Sequence, residues 1–228
     1  YLNKYFDSND DEFLSLSKYY ALKSNEENKK YCVIGEPSYS KIAGGYLQLA
    51  DVYMATTGVD TNAGTAEEPV LSLNKALERV ANGGTIHIVD SYIAPAGFVW
   101  DRHNKDITIT GGTLDLSRGY TEKTEGNATV PCYYQGDGVT YDNLKLILVD
   151  GAYYFANGFR LQVNENVTVT GKNIQLFGGG HWQDVAAANV KLLAGDYLKV
   201  YGGGYKAKVN GDVNLYVGNI NPQYTVSH

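Results

Sequence analysis

Two short segments carry the side chains best suited to chemistry. The first is His181-Trp182-Gln183-Asp184, directly after the triple glycine Gly178-Gly179-Gly180. An imidazole, an indole, a carboxamide and a carboxylate in succession offer hydrogen-bonding groups beside a flat apolar ring, the combination that holds a sugar by its C–H face and its hydroxyls. Tyr201 and Tyr205 follow one repeat later and would extend that platform. The candidate ligand-binding residues are therefore His181, Trp182, Gln183, Asp184, Tyr201 and Tyr205. In the competing reading Trp182 is a loop anchor packed on the chain, and its polar neighbours only solvate it. The second segment is Trp100-Asp101-Arg102-His103. Asp101, Arg102 and His103 are an alternative catalytic set, acting as acid, clamp and base, or else an ordinary solvated loop.

What positions these segments is a repeat. Four runs stand 23 residues apart: Asn143-Leu144-Lys145-Leu146, Asn166-Val167-Thr168-Val169, Asn189-Val190-Lys191-Leu192 and Asp212-Val213-Asn214-Leu215. Each opens on Asn or Asp, which tolerate a left-handed turn, and continues with the period-2 alternation of a half-buried strand. Thr85-Ile86-His87-Ile88 and Asp106-Ile107-Thr108-Ile109 extend the series to six units, with residues 117–130 as an excursion loop. A second line of repetition, residues 174–180 against 198–204 at an offset of 24, gives each unit at least two strands. A period near 23 without intervening helices predicts the coils of a parallel β-solenoid rather than propeller blades. Six coils stacked about 4.8 Å apart would make a prism roughly 29 Å long.

The regularity explains many polar residues without chemistry. Stacked Asn143, Asn166, Asn189 and Asp212 would form a turn ladder, and the triple glycines 178–180 and 202–204 would be tight corners. Asp150 and Asp196 fall at different phases, so no ladder of acids runs along one face. Tyr133, Tyr134, Tyr141, Tyr153 and Tyr154 are either an adhesive surface or a cross-strand stabilising device.

Residues 52–88 carry a further pattern. A strand at Val52-Tyr53-Met54 leads into the Gly58-Val59-Asp60-Thr61-Asn62-Ala63-Gly64-Thr65 loop, then Pro69, and then an amphipathic stretch with Leu73, Ala76, Leu77 and Val80 on one face and Ser72 as N-cap. Gly83-Gly84-Thr85-Ile86 closes it. This resembles the N-terminal cap of pectate-lyase-like right-handed parallel β-helix proteins, whose first coil opens on G-D-T-I; here Gly84 stands in the place of the acid. The resemblance implies an all-β right-handed parallel β-helix of about six coils with an N-terminal cap helix that plugs the open end of the stack. It divides the chain into an N-terminal segment, 1–50, that packs on or caps the solenoid, and a β-helix domain, 51–228, with the cap at 51–84 and the coils at 85–228. Enzymes of that superfamily are polysaccharide lyases, with Ca²⁺-binding acids and an Arg or Lys base, or glycoside hydrolases with paired carboxylates. The tail, Tyr201-Gly202-Gly203-Gly204-Tyr205 with Val209-Asn210-Gly211-Asp212-Val213-Asn214-Leu215, resembles repeats of bacterial surface β-helix proteins.

Composition narrows the partners. The formal charge of −6 excludes the basic stripe that nucleic acid needs and counts against anionic polysaccharide. No run of about 18 apolar residues spans a membrane. The 26 glycines and 20 tyrosines suit an all-β chain with many tight turns. The chain begins at Tyr1 in polar sequence and reads as a segment of a longer protein. Cys32 and Cys132 either pair or remain buried thiols. Asp7, Asn9 and Asp11 have the spacing of half a calcium loop without its Gly and Glu, so no cofactor is expected and Ca²⁺ is the one candidate. The outward Thr, Lys and Asn do not supply the apolar face of a trimeric fibre, so a monomer is expected.

The expected role is non-catalytic: a rigid stalk, or a recognition domain for a polysaccharide, glycan or host or cell-surface protein, within a larger secreted or cell-surface bacterial protein such as an adhesin. The alternative is a polysaccharide lyase or glycoside hydrolase using Asp101, Arg102 and His103 or the His181 group.

Overall fold

The structure, a computed structural model, describes residues 48–218. Cys32, the Asp7-Asn9-Asp11 spacing and the expected N-terminal segment fall outside the described residues, apart from its last positions.

The alternating apolar positions form strands, and these lie in three sheets. The first contains, in chain order, β1 (Leu49–Met54), β2 (Val80–Ile88), β4 (Asp106–Thr110), β8 (Gly138–Asp142), β11 (Arg160–Val163), β14 (Ala188–Leu192) and β16 (Val213–Val217), and neighbours follow the same order. The second contains β3 (Ser91–Ile93), β5 (Thr113–Asp115), β9 (Lys145–Ile147) and β12 (Thr168–Thr170). The third contains β6 (Thr121–Glu125), β7 (Ala128–Tyr134), β10 (Tyr153–Phe155), β13 (Ile174–Phe177) and β15 (Tyr197–Tyr201). From β7 to β14 the chain visits the third, first and second sheets in rotation, and every pairing is parallel except that of β6 with β7.

One apolar cluster draws residues from all three sheets: Ile107 and Leu161 from the first, Leu114 and Leu146 from the second, Tyr154 and Leu176 from the third. Three of the tyrosines inside it, Tyr133, Tyr141 and Tyr154, keep their hydroxyls paired, as buried polar groups must. Tyr141 and Tyr154 hydroxyls lie 3.1 Å apart, and Tyr154 also donates to Gln135 Oε1 at 3.2 Å. Tyr133 donates to the Leu116 carbonyl at 2.8 Å. Tyr133, Tyr141 and Tyr154 are therefore core residues, and of the five tyrosines only Tyr134 and Tyr153 are half-exposed.

The amphipathic stretch forms the one helix among the described residues, α1 (Leu73–Arg79), with Ser72 accepting from the Lys75 amide as N-cap. Leu73, Ala76 and Leu77 are buried. Val80 is buried too, but as the first residue of β2.

The repeat is real, yet its 23-residue frame joins unlike positions. Leu146 and Val169 are register partners in the second sheet, 23 residues apart. Asn189 and Asp212, however, belong with the first sheet, where Asn189 sits opposite Asn214. The expected ladder is thus two separate contacts: Asn143 donates its amide to Asn166 Oδ1 at 3.2 Å, and Asn214 Nδ2 donates to Asn189 Oδ1 at 2.9 Å. The excursion is a β6–β7 hairpin at 121–134, shifted from the expected 117–130, with Gly126-Asn127 as its turn.

Candidate functional site

Three segments gather at the third sheet: its own β6–β7 hairpin and the loops 178–187 and 202–212. The third sheet's outward residues explain why they gather there. Tyr134, Phe155, Phe177 and Tyr201 are successive register partners whose rings stack at 5.4, 4.9 and 4.7 Å between centroids. With Cys132 they form a second, smaller apolar cluster that needs covering. Burial raises the Cys132 thiol above its ordinary pKa, and it forms no disulfide among the described residues.

The two loops stack backbone on backbone. Gly179 donates to the Gly203 carbonyl at 3.0 Å, Tyr205 to the Gly180 carbonyl and Lys206 to the His181 carbonyl, both at 3.0 Å. A Cβ on Gly179 would meet the Gly204 backbone nitrogen at 2.6 Å, so the triple glycines permit this approach. Here they are the contact between loops rather than only corners.

His181 is inserted over Phe155, ring on ring at 4.5 Å and 6°. Its side chain is 2% exposed and both nitrogens are engaged. Nε2 lies 2.7 Å from Glu125 Oε1, and Nδ1 lies 2.6 Å from the Tyr134 hydroxyl. Burial raises the Tyr134 phenol, so the hydroxyl keeps its proton and donates to Nδ1, while Nε2–H donates to the carboxylate. Glu125 Oε2 accepts from Lys206 Nζ at 2.7 Å. The Lys206 bond, before that of His181, holds the Glu125 carboxyl below its ordinary range against the opposing effect of burial. Lys206 also sits 4.3 Å from the ring centroid of Trp182, a residue 56% exposed.

Beside this assembly opens a cleft of about 680 Å³, within the size range of small-ligand sites. His181, Trp182, Gln183 and Asp184 all line it, as do Arg102, Asn157 and Phe159. The two segments singled out in the sequence therefore meet at one cleft, through Trp100 and Arg102 of the second. The Arg102 guanidinium lies 4.9 Å over the Phe159 ring, and its Nε donates to Asn104 Oδ1 at 2.9 Å. Tyr201 and Tyr205 do not line the cleft. Tyr201 belongs to the aromatic stack, and Tyr205 packs edge-on against His181 at 5.5 Å.

Asp101, Arg102 and His103 do not form an acid, clamp and base. His103 turns inward to Asp137, a buried carboxylate that accepts from the His103 and Lys105 amides at 3.1 and 2.9 Å and from Trp100 Nε1 at 3.1 Å. His103 Nδ1 lies 3.3 Å from the same carboxylate. Asp101 is exposed, and its amide donates to Asn74 Oδ1 at 3.3 Å. Asp137 thus fixes the loop that presents Arg102.

Glu125, Lys206, Asp137 and Phe159 were not among the sequence candidates, and Tyr134 was marked only as one of the clustered tyrosines. Lys206 was within reach of the sequence, because the offset of 24 that aligns the triple glycines also aligns His181 with Tyr205 and Trp182 with Lys206. Among the described residues, no three His, Cys, Asp or Glu side chains gather to hold a metal ion, and no helix is long and apolar enough to cross a membrane.

No protein-family profile, curated protein or solved structure matches the chain. The pectate-lyase-like resemblance of residues 52–88 rests on its own motif.

Proposed function

We propose that the chain is a right-handed parallel β-helix whose N-terminal end is covered by α1, and that it serves as a glycan-recognition module of a larger secreted or cell-surface bacterial protein. Three parallel sheets visited in rotation, and apolar α1 residues joined to the same core, support the fold reading. The observation that carries the functional reading is the cleft. An exposed Trp182, the Arg102 guanidinium over the Phe159 ring, and Asn157, Gln183 and Asp184 surround one space large enough for a sugar.

A catalytic role draws less support from the same geometry. The groups most able to move protons are engaged elsewhere: Asp137 by four donors, His181 at both nitrogens, and Glu125 by His181 and Lys206. Lyase or hydrolase chemistry needs a base or an acid pair facing the substrate.

The test is incubation with pectins, alginates and mucin glycans, scored for binding, unsaturated product and new reducing ends. The recognition reading expects retention of at least one glycan that is lost in Trp182→Ala, with no turnover. Turnover that disappears in Asp101→Ala or His181→Ala would replace it with the enzyme reading.

A further inference from the structure

Glu125 directly precedes the turn of a hairpin, where a carboxylate is ordinarily solvated, yet its side chain is only 4% exposed. It reaches partners 56 and 81 residues away in sequence, one on each of the two stacked loops. Among the described residues, no backbone hydrogen bond joins residues 121–130 to either loop. The outer half of the hairpin is held to the loops by side chains, and Glu125 supplies two of these contacts, a hydrogen bond with His181 and an ion pair with Lys206.

We propose that Glu125 is a positioning residue for the cleft, a clasp that holds the His181–Trp182 wall in place near neutral pH and releases it in acid, so that ligand binding is coupled to the protonation of this one carboxylate. The coupling rests on the recognition reading above; the clasp itself does not.

The charge logic follows from what surrounds the carboxylate. The first loop contributes His181, the second loop Tyr205 and Lys206, and the hairpin Cys132 and Tyr134, with Lys123 beside Cys132 and Tyr153 beside Tyr205 one step further out. Burial raises the Cys132 thiol and the Tyr134 and Tyr205 hydroxyls, so these stay protonated at neutral and acid pH. Protonating the His181 imidazole leaves its Nε2–H donor on Glu125 in place and turns Nδ1 into a donor, to which the Tyr134 oxygen can turn as acceptor. Protonating Glu125 removes the charge that the Lys206 ammonium needs and leaves one oxygen carrying a proton towards a donor. Lys206 then no longer has an anchor beneath Trp182. Because the carboxyl is held below its ordinary range, the clasp is fully formed above that range and is lost as pH falls through the lower, folded-state value.

The test uses the acrylamide-quenchable tryptophan emission, which reports exposed Trp182 rather than buried Trp100, followed from neutral pH into acid with far-ultraviolet circular dichroism recorded alongside. The expected result is a single emission transition at constant circular dichroism, absent in Glu125→Gln, which already has the acid-form emission at neutral pH. Lys206→Met, a change at a half-exposed position, is expected to shift the transition upward. Mucin oligosaccharides and oligogalacturonates measured on both sides of the transition should lose at least about tenfold in affinity in acid, since the wall residues dominate contact. A flat emission profile, or one that moves only with loss of circular dichroism, overturns the clasp. A transition with unchanged glycan affinity overturns the coupling and leaves recognition intact. A transition with no glycan bound at either pH overturns the recognition reading and the coupling together.

Discussion

Lys105 reaches from the end of the Arg102 loop, just before β4, to the far end of α1, where its ammonium lies 2.6 Å from the carbonyl of Leu77. The Val80 and Glu78 carbonyls accept from the same nitrogen at 2.7 and 3.1 Å. These are carbonyls that a helix C-terminus leaves without intrahelical partners, and the positive charge also complements the helix dipole. Lys105→Met fills the space but abandons the acceptors. A loss of about 2–3 kcal/mol is expected in urea denaturation, the range for a buried charge-assisted set. An unchanged midpoint would show that the helix end is satisfied in another way.

The stacked loops predict a contrast within one sequence motif. Gly179→Ala puts a methyl group against the Gly204 backbone and must force the loops apart, whereas Gly203→Ala meets nothing within 4 Å. The first should cost about 1–3 kcal/mol and weaken glycan retention, and the second should do neither. Thermal denaturation of the two variants beside the wild type decides this, and equal effects would contradict the stacking.

The tyrosine core sets an alkaline limit. Burial pushes the Tyr133 and Tyr141 phenols up to about 12, while an unfolded tyrosine ionises near 10. Across that window the unfolded chain gives up protons that the folded chain keeps, so stability falls as pH rises from about 10 towards 12. The melting temperature should decline through this range, less steeply in Tyr141→Phe. A melting temperature that holds level through it would remove these phenols from the core account.

How much of this was written in the sequence depends on the element. Ser72, Leu73, Ala76 and Leu77 marked α1 because capping and helical spacing are local properties. The period was visible as well, but all three sheets use the same alternation of apolar and polar residues, so spacing alone could not say which sheet a run joins. Register partners show why: Val139 and Leu161 lie 22 residues apart, whereas Leu161 and Val190 lie 29 apart because the 178–187 loop intervenes. That longer turn moved Asn189 out of the series containing Asn143 and Asn166. The 85–88 and 106–109 runs show a smaller slip, since Thr85 faces Thr108 rather than Asp106. The slip is two residues, so every side chain keeps its face. Trp182 and Arg102 were visible as residues with chemistry to offer. Glu125 was not, because its role comes from a hairpin folding back over partners that only the stacked turns bring near.

The central claim, that one cleft built from both segments holds a sugar, is tested most directly by equilibrium binding of mucin oligosaccharides and oligogalacturonates to the wild type, Trp182→Ala and Arg102→Ala. The expected result is saturable binding by the wild type, weakened about tenfold or more by each substitution, with melting temperatures unchanged because both side chains are exposed. Binding left intact by both substitutions, or no saturable binding by the wild type, would contradict it.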